Sequence, residues 1–467
     1  MLAAEKETRM PTRTPRSMPL ALCIGISLAL AREPANAGPG GPFASTGPAA
    51  ASIRIAAPPA PIVAGGNTIP VSNCDDAGDG SLRAAAAIAV GGDTIDMTSL
   101  ACSPITVATG AIVLPAGEIA LEGPTGHALT IAQAPDSGDG GLLRQPDGTR
   151  LALSDLTLEN GNSIVRGGCI YSRGDIVLTN VRVADCRVGD AGGGVFAYGN
   201  LEMDHSAIDG CSASGPYPNS PTALGGGAYV GGALTMRWST LSGNTAASGG
   251  GSFGGAAFVR DDAQLSYSTV SGNTSGNPYQ YGNIGAISAT GGARTSLFNS
   301  TISGNTATWI GGFYSKAPLT IENSTIAFNI GIGVTSTYAA GVLAYADEIA
   351  ISSSIISNNV AGGTPFDLAG HGAATGDHDL IMASDIAPPG TLTDDPELGP
   401  LQDNGGPTLT HLPAPGSVAV DAGSNPQSAD YDQRGTAHPR AIGAAPDIGA
   451  TERGEEENDT IFADGFD

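Results

Sequence analysis

The chain reads as an all-β protein, a parallel β-helix, on three observations: a unit recurs with a wandering period, its segments alternate with period two, and helix-period patterning is missing from it. The clearest copy is Asn299-Ser300-Thr301-Ile302-Ser303-Gly304-Asn305-Thr306. Aligned on its apolar residue, eight copies fall at Leu158, Val183, Ile208, Leu241, Val270, Ile302, Ile326 and Ile356, separated by 25, 25, 33, 29, 32, 24 and 30 residues. A fixed structural unit with loops of variable length gives this signature of a solenoid. Within each copy, segments such as Leu319-Thr320-Ile321 and Ile349-Ala350-Ile351 alternate apolar and polar residues and end in Gly, Ser or Asn, which predicts short strands. An Asn column (Asn244, Asn273, Asn305, Asn329, Asn359) suits a corner, where Asn tolerates left-handed backbone and stacked amides can bond along the axis.

Taken in order, residues 1–37 read as a secretory signal peptide: Arg13 and Arg16, an apolar run from Met18 to Ala31, and Ala35-Asn36-Ala37 as the cleavage site, with Met10 or Met18 as alternative starts. Cys23 stands inside the apolar run without a small residue before it, which argues against lipoprotein processing. Residues 38–61 are rich in Pro, Gly and Ala and read as a flexible linker. Residues 62–150 hold an N-terminal cap and irregular first coils. In that cap, Ser81 is the expected N-cap of a short helix through the Ala run, ending before Gly91, and the helix should cover the open end of the solenoid. Asp75, Asp76 and Asp79 lack the spacing of a calcium loop and read as turns. The irregular strands are Ile105-Thr106-Val107, Ile112-Val113-Leu114, Ile119-Ala120-Leu121 and Leu129-Thr130-Ile131, and residues 151–394 form the regular coils.

Charge and cysteine content bound the function. The 467 residues carry a net charge of −25, with 69 Gly and 14% charged residues. Removal of residues 1–37 takes five basic and three acidic residues, leaving 15 against 42 and a net charge of −27. Such a surface repels nucleic acid and anionic membranes. No cofactor and no metal site is expected, no transmembrane segment is expected in the mature chain, and the protein should be a monomer. Export permits disulfides. Cys74 and Cys102 flank the first segment and should pair; Cys186 and Cys211 occupy the Asn column in adjacent coils, within disulfide reach, which leaves Cys169 odd or a rival for Cys186.

The candidate ligand surface follows each Gly-Gly-small element. One residue past the apolar position stand Tyr171, Phe196, Tyr229, Phe258, Ser288, Tyr314 and Leu343; two further on stand Arg173, Tyr198, Gly231, Arg260, Thr290, Lys316 and Tyr345. Period two points these outward if the apolar residues face in. Rings (Tyr171, Phe196, Tyr229, Phe258, Tyr314) beside cations (Arg173, Arg260, Lys316) form an expected glycan-binding strip, with rings on pyranose faces and cations on carboxylates. Trp238 and Tyr267 share a column with His205 and read as a corner stack. Catalysis has little to stand on, because the coils offer only scattered acids such as Asp261-Asp262 and no catalytic residue is assigned. Gly370-His371-Gly372 is a motif like that of polygalacturonases without its partners, and Asp377-His378-Asp379 reads as a turn.

Residues 395–452 form a Pro/Gly-rich terminal unit. Asp395-Pro396-Glu397-Leu398-Gly399-Pro400-Leu401, Asn404-Gly405-Gly406-Pro407, Pro415 to Gly423, Asp432-Gln433-Arg434-Gly435, Pro439-Arg440 and Asp447 to Glu452 closely resemble the C-terminal module of choice-of-anchor Q domain proteins. The Ser-Leu-Arg segment and the Gly-Gly-apolar repeats fit that family too, and the repeats are similar to those of polymorphic outer membrane proteins. The resemblance implies an exported, right-handed, single-stranded parallel β-helix of pectin-lyase-like shape, with the module as C-terminal cap. Asp421, Asp432, Arg434, Arg440 and Glu452 are expected to hold turns in that cap. Residues 453–467 form an acidic tail without an apolar anchor. The function expected from all this is adhesive, glycan-binding or structural, at the Gram-negative cell surface or beyond it. The alternative is a polysaccharide lyase or glycoside hydrolase acting on acidic polysaccharides.

Overall fold

The computed structural model describes residues 65–135, 137–214, 222–276, 284–333 and 338–454. The signal peptide (1–37), the linker (38–61) and the tail beyond residue 454 lie outside the described residues.

The strands form three large sheets of 21, 10 and 9 strands. One coil shows the plan. Thr295–Phe298 and Thr301–Ser303 lie in the largest sheet, Thr306–Ala307 in the nine-stranded sheet and Phe313–Ser315 in the ten-stranded sheet. All eight alignment residues are successive Cα partners in parallel pairs, from Leu158↔Val183 to Ile326↔Ile356. Each coil thus hydrogen-bonds to the next through its backbone and stacks its inward residues into one long apolar core. The all-β parallel solenoid read from the sequence is the observed architecture.

Two corners set the coil's cross-section, each carrying one left-handed residue. At the first stand Asp155, Asn180, His205, Trp238, Tyr267, Asn299, Asn323, Ser353 and His378, with φ between 42° and 55°. At the second stand Asn160, Asp185, Gly210, Gly243, Gly272, Gly304, Phe328 and Asn358, with φ between 53° and 64°. The Asn column expected to take this conformation is one residue further on and points inward. Its job is the second one foreseen: each amide bonds to the next coil. Asn244 donates both its backbone N and Nδ2 to Asn273 Oδ1 at 2.9 and 3.0 Å, and the ladder continues through Asn305, Asn329 and Asn359 to Asp367. A parallel serine ladder follows the first corner. Backbone N–H groups of Ser206, Ser239, Ser268, Ser300 and Ser324 donate to the hydroxyl of the next serine, and Ser354 donates to Asp379.

At the N-terminal end Ser81 caps the helix Leu82–Ile88 by accepting from Ala84 N at 3.2 Å. Leu82, Ala85 and Ala86 enter the main core. Arg83 pairs with Asp76 at 2.7 Å and also bonds the carbonyls of Gly110 and Ala111, while Asp76 accepts from Thr109 as well. Burial works against the Asp76 charge, but the Arg83 and Thr109 bonds hold its pKa below the usual value. Cys74–Cys102 is a disulfide as expected. The second is Cys169–Cys186 and not Cys186–Cys211; Cys211 is a buried free thiol, raised by burial to about 12. Cys169 and Cys186 approach across one coil with a Cα separation of 5.6 Å, a contact that axial spacing does not reveal.

The C-terminal unit, residues 395–452, packs against several coils. It runs back along the side of the coils. Thr408 bonds Tyr267 O, Thr269 bonds Leu409 O, Gln433 bonds Thr269 and Thr301, Asn299 bonds Tyr431 O, Thr325 accepts from Ala450 and Ser353 accepts from Ser424. The polar outward column Thr269, Thr301 and Thr325 provides these partners and is buried by them. Inside the module Asp432 pairs with Arg434 at 2.8 Å, Asp421 accepts from Ala444 and Ala445, and Glu452 accepts from Ile442 and Asp447. These charged residues hold backbone turns, as expected. Glu452 is pushed up to about 7 by burial, against the bonds it accepts.

Candidate functional site

The ten-stranded sheet carries the aromatic strip, and register places its members as foreseen: Arg144, Tyr171, Phe196, Tyr229, Phe258, Ser288, Tyr314 and Leu343 are consecutive Cα partners. Their neighbours in sequence, such as Ile170 and Ser172, are fully buried in the coil interior. The rings therefore leave the barrel on its outer side. They stack: Tyr171 on Phe196 at 5.6 Å, Phe196 on Tyr229 at 4.4 Å with planes 3° apart, and Tyr229 on Phe258 at 5.6 Å.

Outward is not the same as accessible. Phe196 is 2% exposed and Tyr229 8%, covered by Ala191, Leu224 and the strip's own neighbours. These two rings are the filling of a satellite apolar cluster and offer no face to a sugar. Ser288, also buried, interrupts the column. The single strip read from the sequence is therefore two patches.

The first patch is the better formed. Tyr198, 38% exposed, sets its edge against Phe196 at 5.0 Å and against Tyr171 at 6.3 Å. Three guanidinium groups converge on these rings: Arg144 lies 4.3 Å from the Tyr171 centroid, Arg166 5.1 Å from Phe196 and 5.7 Å from Tyr198, and Arg173 5.6 Å from Tyr198. Arg166 also donates to the Tyr198 hydroxyl and pairs with Asp190 at 3.3 Å. Burial opposes its charge, yet the Asp190 bond and the nearby tyrosines raise its pKa, so Arg166 is a fixed cation and not a proton acceptor. Arg144 and Arg173 have no carboxylate within ion-pair distance among the described residues. Arg144 sits one coil before the first ring and Arg166 comes from a loop, so neither entered the column read from the repeats. Arg144 was within reach, since Leu143-Arg144-Gln145 aligns with Ile170-Tyr171-Ser172.

The second patch gathers Trp309 stacked on Tyr338 at 5.6 Å, Tyr314 edge-on to Tyr345 at 5.6 Å, and His371 on Tyr345 at 4.4 Å. Burial pushes the Tyr314 phenol up to about 12. His371 belongs here because Leu368–Gly370 is the last strand of the ten-stranded sheet. Arg260 and Lys316 are exposed beyond the rings. Trp238 stacks on Tyr267 at 4.1 Å and on His205 at 6.1 Å, and Tyr431 of the module packs over the pair, so the corner stack is structural.

Chemically, these patches can hold rings and anions. Among the described residues, Asp190 is the carboxylate ion-paired in the first patch, and no group of three metal-ligating side chains occurs. Asp262 accepts from Ala293 and Arg294 in a turn, and His378 is an exposed corner residue beside Asp377.

No family model matches the chain, and no curated protein matches it. Among solved structures it is similar to the crystal structure of pectate lyase Pel9A, at 14% identity and a TM-score of 0.35, over 83% of this chain and 97% of that one.

Proposed function

We propose that this chain is an exported, non-catalytic β-helix that binds an acidic glycan at the cell surface or beyond it. The observation that carries the reading is the first patch: three arginines, two of them without a carboxylate partner among the described residues, brought onto Tyr171, Phe196 and Tyr198 in a chain of net charge −25. Like charges gathered on an otherwise acidic surface cost repulsion, and an anion bound among them offsets it. Guanidinium groups suit carboxylate or sulfate in a two-bond grip, and exposed tyrosine suits an adjoining sugar ring. Two disulfides fit an oxidising compartment. The resemblance of residues 395–452 to the choice-of-anchor Q module supports display at a surface.

The runner-up, a polysaccharide lyase or hydrolase of acidic polysaccharides, keeps a place through the same patch, which would serve as its substrate cradle. A base and an acid at a defined separation are what it lacks there. One experiment separates the two. Purified protein is incubated with polygalacturonate, alginate and sulfated glycans, and binding and chain cleavage are scored together. Binding without cleavage is expected, weakened about 10-fold or more in Arg173→Ala with Tyr198→Ala. Release of unsaturated oligosaccharides would establish the enzyme instead, and absence of binding to every anionic polymer would end the glycan reading.

A further inference from the structure

The repeats supply their own internal control. On the nine-stranded sheet the outward column reads Asn162, Arg187, Ser212, Thr245, Thr274, Thr306, and the left-handed corner two residues earlier reads Asn160, Asp185, Gly210, Gly243, Gly272, Gly304. In four successive coils the fold uses Gly at the corner and Ser or Thr on the strand. Gly is the least strained choice at positive φ, and Thr suits an exposed strand. The two coils nearest the N-terminal end replace these with Asn, Asp, Asn and Arg, larger polar side chains in the same four places.

Those four side chains line one groove. Asn160, Asn162, Asp185 and Arg187 face Gln133, Ala134, Pro135 and Gly138 across a space of about 510 Å³, and Asn162 and Arg187 continue into an adjoining space of about 280 Å³ bordered by Ile164 and Ser214. The far wall is held in place: Gln133 donates to Gly138 O and accepts from Asn162 N, both at 2.6 Å. Asn162 also bonds Asp139 at 3.3 Å. The side chains of Asn160, Asp185 and Arg187 make no hydrogen bond or ion pair among the described residues, although Asp185 and Arg187 stand two residues apart. The later departures at the corner differ in this respect. Phe328 packs on His411 at 5.1 Å, and Asn358 bonds Asp395 at 3.4 Å.

We propose that this groove is a second binding site, distinct from the aromatic patches, and that it takes an uncharged oligosaccharide. Its size falls within the range of ligand sites, roughly 300–1,000 Å³. It offers donors and acceptors together, as hydroxyl-rich ligands require, from amide, carboxylate and guanidinium groups. Beside the Arg187 cation stand the carboxylates of Asp185 and, bonded to Asn162, Asp139, so the groove gives an anionic ligand no net attraction. It contains no aromatic ring for a flat heterocycle to stack on. The apolar border of Ile164 and Pro135 matches the C–H face of a sugar. The segment Ser163 to Arg166 joins Ile164 of the groove to Arg166 of the first patch, so the two sites share a rim.

The test returns the groove to the fold's own standard. In the full chain, Asn160→Gly, Asn162→Thr, Asp185→Gly and Arg187→Thr are combined; each introduces a residue the same position holds in neighbouring coils, and circular dichroism and Tm confirm folding. Calorimetric titration and saturation-transfer NMR then use six-unit oligomers of glucose, mannose and galactose as probes. At least one probe should bind the wild type and Arg173→Ala with Tyr198→Ala alike, and bind the groove variant at least ~10-fold more weakly, a difference of about 1.4 kcal/mol. No binding by any neutral probe, or equal binding to the groove variant, overturns the proposal. Loss only in the arginine–tyrosine variant would assign the ligand to the aromatic patch and overturn it as well. Binding of anionic polymers is measured in parallel, so failure here and failure of the surface-glycan reading are told apart.

Discussion

At the scale of single residues, the ring column divides by accessibility. Phe196 and Tyr229 lie under Ala191, Leu224 and Arg166, whereas Tyr198 lies on top. Phe196→Ala would leave a cavity between two stacked rings and should destabilise by about 3 kcal/mol in urea unfolding. Tyr198→Ala, which loses edge contacts to Phe196 and Tyr171, should cost about 1 kcal/mol, less than Phe196→Ala, and be felt more in binding of an anionic glycan. The column's position was legible because strand alternation fixes which side of the sheet a residue leaves. Its burial was not, since neighbouring loops provide the cover and loop packing leaves no periodic trace. The cysteines teach the same point. Cys186 has one partner within reach along the axis and another across the coil, and only the second is bonded. In a chain lacking residues 1–37, and so Cys23, alkylation before and after unfolding should label Cys211 alone, and only once unfolded; labelling of Cys169 would contradict the Cys169–Cys186 bridge.

At the scale of elements, the Asn and Ser ladders convert a sequence column into continuous hydrogen bonding. Each ends in a carboxyl group, Asp367 and Asp379. Burial pushes Asp379 up to about 8, opposed by the Ser354 bond and reinforced by Asp377, and pushes Asp367 up to about 6 against the Asn359 and Ala383 bonds. A carboxyl whose pKa is higher folded than unfolded holds its proton more tightly in the native state. Stability is therefore greatest at pH values where both states are protonated and declines as pH rises through the folded values. Tm should fall by ~5 °C or more between pH 5 and pH 8.5. Asp379→Asn, which keeps an acceptor for Ser354, should reduce that dependence, most of all near pH 8, while Asp367 and Glu452 retain their share below it; an unchanged profile would mean the end of the serine ladder is not a titrating group. Interrupting the ladder midway is a separate matter. Asn305→Ala removes the acceptor of Asn273 N and Nδ2, and should cost about 3 kcal/mol. The Asn column itself was plain in the sequence, but its left-handed duty belongs to the preceding residue, because amides that bond inward cannot also occupy the outer corner.

At the scale of the whole molecule, the coils form a linear array in which each contacts its neighbours, and the C-terminal module breaks that rule by binding several at once. It ties Tyr267, Asn299, Thr325 and Ser353 to one polypeptide segment. Thermal unfolding should accordingly be a single transition. Gln433→Ala, which loses partners on Thr269, Thr301 and Thr408, should lower Tm by about 4 °C, and should make the transition broader if the module links the coils cooperatively. The register was legible along the entire array, since like residues recur at like positions. The module's path along the flank was not, because its residues follow no repeat and meet the coils through isolated polar contacts.

The closing carboxyls also bear on how such a chain avoids joining its own kind. Every amide in the Asn ladder hands its hydrogen onward to the following coil, and Asp367 receives the last of them while engaging Asn359 and Ala383. A second molecule arriving at that end meets no waiting amide to continue the sequence of donors, so fibre growth from tip to tip lacks its starting bond. The acid that helps make the native state sensitive to alkali thus also closes the run of amide donors.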